Sequence, residues 1–167
     1  FHSPRAETPP MVEQTATAIA RLPDVTPAAV ANAQYKATPL PHTHCCDAAA
    51  FAVRVQFQVD KVPDSGLGVI SLLQVDNYRM AVNGSTLVAP GRLAMRGGSY
   101  HGQRTHLTRI PAGLLKVGTN ELTYVTVRSG FPYTDLYPPL IGEYNAMQAF
   151  SGARVWLVYD YHIVIGV

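Results

Sequence analysis

The chain has little charge. Asp, Glu, Lys and Arg make up 14% of its 167 residues, against about a quarter in an average soluble domain. The formal net charge is +2 and no basic run occurs. That balance excludes the electrostatic footprint of a nucleic-acid-binding protein. Cysteine is also scarce: the two present are adjacent, Cys45 and Cys46. They cannot make the multi-bridge framework of a small secreted scaffold. A vicinal disulfide is one reading; a buried and an exposed thiol on opposite faces of a strand is the other. No apolar run reaches the roughly 18 residues of a membrane span. Catalytic signatures are missing as well. The chain has no G-x-S-x-G elbow, no HExxH, no Walker A loop and no dinucleotide fingerprint. Asp135 and Glu143 make no recognisable glycosidase pair. The expectation is a non-catalytic domain without a cofactor.

What is present points to strands. The hydrophobic fraction is 47%, ordinary for one domain with a real core. "FAVRVQFQVD" (51–60) alternates strictly, with Phe51, Val53, Val55, Phe57 and Val59 on one side. That is the pattern of a half-buried antiparallel strand. "LGVISLLQV" (67–75) is nearly continuous in apolar residues and predicts a central strand. "NYRMAVNGSTLV" (77–88) predicts a hairpin, with Asn83-Gly84 at the turn. Asp76, Tyr78 and Arg79 just before it read as turn chemistry. "PAGLL", started by Pro111, predicts a single helical turn. "ELTYVTV" then alternates Leu122, Tyr124 and Thr126 against Val125 and Val127. "LIGEYNAMQAF" is ambiguous. "ARVWLVYDYHIVIGV" predicts a closing strand, or the end of a domain that precedes a membrane helix.

The N-terminal third reads differently. Residues 11–21, "MVEQTATAIAR", have helical apolar spacing. "DVTPAAVANAQY" offers Thr26 as an N-cap and Pro27 at the first helical position. The predicted organisation is an N-terminal arm with one or two short helices (1–37), followed by an all-β jelly-roll β-sandwich (38–167).

Three clusters are candidate sites. Tyr100, Arg104 and His106, in "SYHGQRTH", suit a sugar or carboxylate at a loop mouth; the bland alternative is an exposed loop. Tyr133 and Asp135, in "GFPYTDLYPP", combine an aromatic face with a carboxylate, as sugar-binding loops do. Packing on the sandwich end is the alternative. His42, His44 and Cys45, in "HTHCCD", place two imidazoles on one side of an extended segment beside a thiol. They form a candidate zinc or copper set, against a loop with two polar histidines.

The order of the motifs carries a resemblance. "NYRMAVNG", a Gly-rich loop and "RTHLTRIPAGLLKVGTNELT" together resemble the galactose-binding-like jelly rolls. With the lead-in "LPHTH" before "FAVRVQFQV" and the later "PPLIGEYNAM", residues 38–167 are similar to one branch of them. These are the extracytoplasmic sensor domains of bacterial membrane-bound histidine kinases and diguanylate cyclases, of the seven-transmembrane-receptor type. The chain departs from that pattern at "HTHCC" and "SYHGQRTH", where the family carries aromatics. The resemblance implies a periplasmic location, a following membrane helix and a homodimer. It also implies a partner that is either a small-molecule ligand (a sugar or a carboxylate) or a periplasmic protein. A carbohydrate-binding accessory module of a secreted glycoside hydrolase is the second expectation.

Overall fold

The computed structural model describes residues 8–101, 107–130 and 132–151. They build an all-β sandwich in which every strand pair is antiparallel. Its spine is β4 (Ala49–Val59) against β10 (Gly118–Arg128), in register from Gly118↔Val59 to Arg128↔Ala49. Around it lie β1 (Gln14–Leu22), β2 (Lys36–Ala37), β7 (Asn77–Val82) and β8 (Ser85–Val88). The six form one sheet in the order β2-β1-β4-β10-β7-β8. Two three-stranded sheets complete the architecture. One is β3-β11-β6, from His42–Cys45, Tyr133–Leu136 and Leu73–Gln74. The other is β12-β5-β9, from Leu140–Glu143, Leu67–Ile70 and Leu107–Ile110.

The main core follows from the alternation. Phe51, Val53, Val55, Phe57 and Val59 of β4 and Leu122 and Tyr124 of β10 meet Leu67, Val69, Ile110, Leu136 and Ile141 of the small sheets. Each such side chain, taken fully out of water, stabilises by about 1.5–3 kcal/mol. Across the large sheet, Ala50, Ala52, Val125 and Val127 bury under Val25, Val30, Leu93 and Met95. The outer face of β4 is thus apolar at its start, and wet further along, where Arg54 and Gln56 are exposed.

The N-terminal third is corrected. Residues 11–21, expected as helix, contribute β1, which pairs with both β2 and β4. Thr15, Thr17 and Ile19 are β-branched, and pairing on both sides overrides the Ala-rich helical spacing. This segment is therefore part of the sandwich and not an arm. The helix expected after Thr26 is present as α1 (Pro27–Ala31), with Thr26 Oγ1 accepting from the Ala29 amide at 3.2 Å.

"LGVISLLQV" divides into β5 and β6, because Ser71 turns inward to share a 2.7 Å hydrogen bond with the buried Tyr124 hydroxyl. "LIGEYNAMQAF" resolves into β12 and a helix over residues 144–151, α2. Glu143 caps that helix, accepting from the amides of Asn145 (3.1 Å) and Ala146 (2.8 Å). The closing strand expected after residue 151 lies outside the described residues. Among the described residues, no helix is long and apolar enough to cross a membrane.

The hairpin at Asn83-Gly84 has both turn residues at positive φ, 49° and 85°, as a two-residue hairpin turn demands. Asn83 does more than turn the chain. Its amide nitrogen donates to Leu114 O (2.8 Å) and to Asn120 Oδ1 (2.9 Å), and its oxygen accepts from the Glu121 amide (2.9 Å). Asn120, 1% exposed, accepts from the Lys116 amide (3.0 Å) and donates to Lys116 O (2.7 Å). These bonds bind the 3-10 turn Ala112–Leu114 and the "KVGTN" bend to the hairpin.

Candidate functional site

At the end of the sandwich where β10 finishes, a cavity of about 800 Å³ opens. Its floor is made by Asp76, Asn77 and Arg128, all nearly buried. Arg128 is the last residue of β10 and lies on the same side as Leu122, Tyr124 and Thr126. The inward face of the strand thus ends in a guanidinium, 5% exposed. Its Nη1 lies 3.5 Å from Asp76 Oδ1.

Asp76 organises the floor. It sits between β6 and β7, and its amide donates to Val127 O at 2.8 Å. Its Oδ2 accepts from the amides of Ser129 (2.6 Å) and Gly130 (2.8 Å) and from Ser129 Oγ (3.2 Å). Its carbonyl accepts from the His101 amide (3.0 Å). One residue therefore fixes the exit of β10 and the end of the 89–101 loop.

That loop forms one wall. Asn77 Nδ2 donates to Pro90 O (3.0 Å) and Arg92 O (3.3 Å). Ser99 Oγ accepts from the Arg92 amide at 2.9 Å, closing the loop on itself. At Gly98, which lines the cavity, a Cβ would come within 2.6 Å of Ala94 O. A side chain there would force the wall to move. The opposite wall is β11, with Tyr133 and Asp135. Thr43 Oγ1 of β3 donates to Asp135 Oδ1 at 2.7 Å.

Of the sequence-predicted residues, Tyr100, Tyr133 and Asp135 come together on this cavity. Tyr100 is 68% exposed and Tyr133 50%, so both rings stand at the mouth. Arg104 and His106 lie outside the described residues. His42 and His44 sit on β3, with their rings edge-on to Phe51 at 6.0 and 5.2 Å. His44 Nε2 also lies 2.6 Å from Asp47 Oδ1. Hydrogen bonds from Arg21 and then His44 hold the Asp47 carboxyl below its ordinary pKa. Cys45 is disulfide-bonded to Cys46, and both are exposed. Of the two readings of the cysteine pair, the structure has the vicinal disulfide, and Cys45 in this state offers no thiolate. Among the described residues, no three His, Cys, Asp or Glu side chains converge as a metal ion needs.

Asp76 was expected to serve only the turn, and Arg128 was not singled out. Its position continues the inward series Leu122, Tyr124, Thr126, and a charged residue in a core-facing register was the readable signal.

No family model and no curated protein matches the chain. Among solved structures, it is similar to an FMN-binding beta-glucuronidase from Facaelibacterium prausnitzii L2-6, with a TM-score of 0.50 and 19% identity. The match covers 78% of this chain and 22% of that one. The likeness concerns the fold.

Proposed function

We propose that this chain is a non-catalytic ligand-binding module and that the cavity at the end of β10 is its site. The observation that carries the reading is the meeting of a nearly buried Arg128–Asp76 floor with two exposed tyrosines at the mouth. A buried polar floor fixes orientation, and aromatic rims supply stacking area. The fitting ligand is a small polar molecule with hydroxyl or carboxylate groups, a sugar or a small organic acid. With the motif order of residues 38–167, we read the module as the periplasmic sensing domain of a membrane-bound histidine kinase or diguanylate cyclase. The disulfide agrees with an oxidising compartment.

The test is a thermal-shift and calorimetry panel of neutral hexoses, hexuronates and small dicarboxylates. A ligand at a hundredfold excess over its Kd stabilises by about 2.7 kcal/mol. The expected result is a shift with one chemical class, lost in Tyr133→Ala. The same ligand added to the full-length protein would change kinase or cyclase output. A silent panel would overturn the reading.

The exposed rings of Tyr100 and Tyr133 favour a second reading, an accessory module that binds polysaccharide. It predicts retardation in a polysaccharide gel with no response to monosaccharides.

A further inference from the structure

We propose that the Cys45–Cys46 disulfide is a thiol-exchange site whose oxidation state sets how firmly the β11 wall of the cavity is held. Both cysteines are exposed, so an attacking thiolate can reach them, and access is one of the conditions for exchange. Cys45 ends β3 and is paired with Tyr133; Thr43 of the same strand is paired with Asp135. The other neighbour of β11, β6, is in register only with Asp135 and Leu136. Among the described residues, the Tyr133–Thr134 end of β11 is therefore laddered on one side alone, by the strand that carries the disulfide.

Among the described residues, the corner from β3 into β4 is held otherwise by side chains: the His42 and His44 rings against Phe51 and the contacts of Asp47. Asp47 accepts from Arg21 of β1 (2.7 Å), a pair more than half exposed on both sides, and lies 2.6 Å from the largely buried His44 of β3. Solvent screens the Arg21–Asp47 pair, and it restrains little. The covalent ring through Cys45 and Cys46 is the one bond at this corner that reduction removes.

The chemistry needs a dithiol reductant. One thiolate of the reductant attacks one sulfur of the pair, the S–S bond breaks, and a mixed disulfide forms. The second thiol of the reductant resolves it. Cys45 and Cys46 gain two electrons and two protons, and the reductant leaves as its own disulfide. The corner regains freedom, and Tyr133 and Asp135 lose part of their support. The consequence for ligand affinity rests on the binding reading above; the loosening of β11 does not.

Hydrogen exchange measured by mass spectrometry tests the loosening directly. The wild-type chain is compared oxidised, reduced by a dithiol, and reoxidised, beside a Cys45→Ser/Cys46→Ser variant. Peptides over 42–46 and 133–136 are expected to exchange at least about tenfold faster when reduced. The change should reverse on reoxidation and be matched by the variant, while β4 and β10 stay unchanged. Three results would overturn the proposal. One is an oxidised chain with both thiols intact by mass. Another is identical exchange in the two states. The third is faster exchange throughout the sandwich on reduction, which would make the bond a structural tie. Whatever ligand the panel above finds or fails to find, these outcomes are read without it.

Discussion

Asp76 shows how much one residue can carry. Its carboxylate accepts three hydrogen bonds and faces Arg128, at the point where β10 ends and the cavity begins. Asp76→Ala leaves those donors without their acceptor and removes the countercharge beside a buried guanidinium. Removing one partner of a buried pair costs about 3–5 kcal/mol. The Arg128–Asp76 approach is 3.5 Å, long for an ion pair, so we expect the lower end, about 3 kcal/mol, in urea unfolding. Asp76→Asn keeps the shape and should lose less. Glu143 is partly exposed and contributes differently, because its effect is visible through pH. The Ser65 hydroxyl, then the amides of Ala146 and Asn145, hold its carboxyl below the ordinary 4.5. A depressed carboxyl stabilises the fold above the unfolded-state value, and that stability is lost as pH falls through the folded one. Acid titration of wild type against Glu143→Gln should show the two curves converge below pH 4.5, with wild type the more stable above it. Parallel curves would mean that the cap contributes no charge-dependent stability.

At the scale of elements, the legible part of the sequence was the part written locally. The alternation of β4, the Asn83-Gly84 turn and the Thr26-Pro27 helix start are each set by neighbours in the chain. So is the change from β12 to α2, but only Glu143 reaching forward to two amides shows where it falls. β1 was misread because its partners, β2 and β4, supply what its Ala-rich stretch does not. The "VNG" hairpin with "IPAGLLKVGTN" proves to be a lock between two turns. Asn83 and Asn120 share a 2.9 Å hydrogen bond, and each also holds backbone of the other's segment or its own bend. We expect the Asn83→Ala and Asn120→Ala losses to be non-additive, with a coupling of about 1 kcal/mol in a double-mutant cycle. Glycines in the same region separate strain from collision. At Gly84, φ is +85° and nothing lies near a built Cβ, so Gly84→Ala should cost about 1 kcal/mol. At Gly66, φ is +78° and a Cβ would overlap the carbonyl oxygen of Ile110. Gly66→Ala should cost about 3 kcal/mol or more by the same unfolding assay.

For the whole molecule, the candidate site was only half legible. Tyr100 and Tyr133 announce themselves as aromatics, and Asp135 as a carboxylate, in Gly- and Pro-rich stretches, but the floor they face is assembled from segments far apart in the chain. Residues 74–77, 94–100, 127–130 and 133–135 meet only after the sheets close, and no local pattern encodes that meeting. The same assembly sets a gradient of stability. The β4–β10 ladder runs through eleven paired positions at the centre of the large sheet. The β3–β11–β6 sheet has four pairs on one side and two on the other. Long central ladders open only with global unfolding, whereas short edge sheets open sub-globally. Native-state hydrogen exchange over a denaturant series should therefore divide the molecule. Amides of β4 and β10 are expected to exchange with the free energy and denaturant dependence of full unfolding. Those of β11 should exchange at lower free energy and with little denaturant dependence. Binding regions are drawn from this low-stability end, because a wall that can open is a wall a ligand can order. A cavity ligand should then protect β11 first and by the largest factor, with the spine unaffected until binding exceeds the sub-global gap. Uniform protection across both ladders would show that the sandwich opens as one unit, and that the cavity end has no separate freedom for a ligand to use.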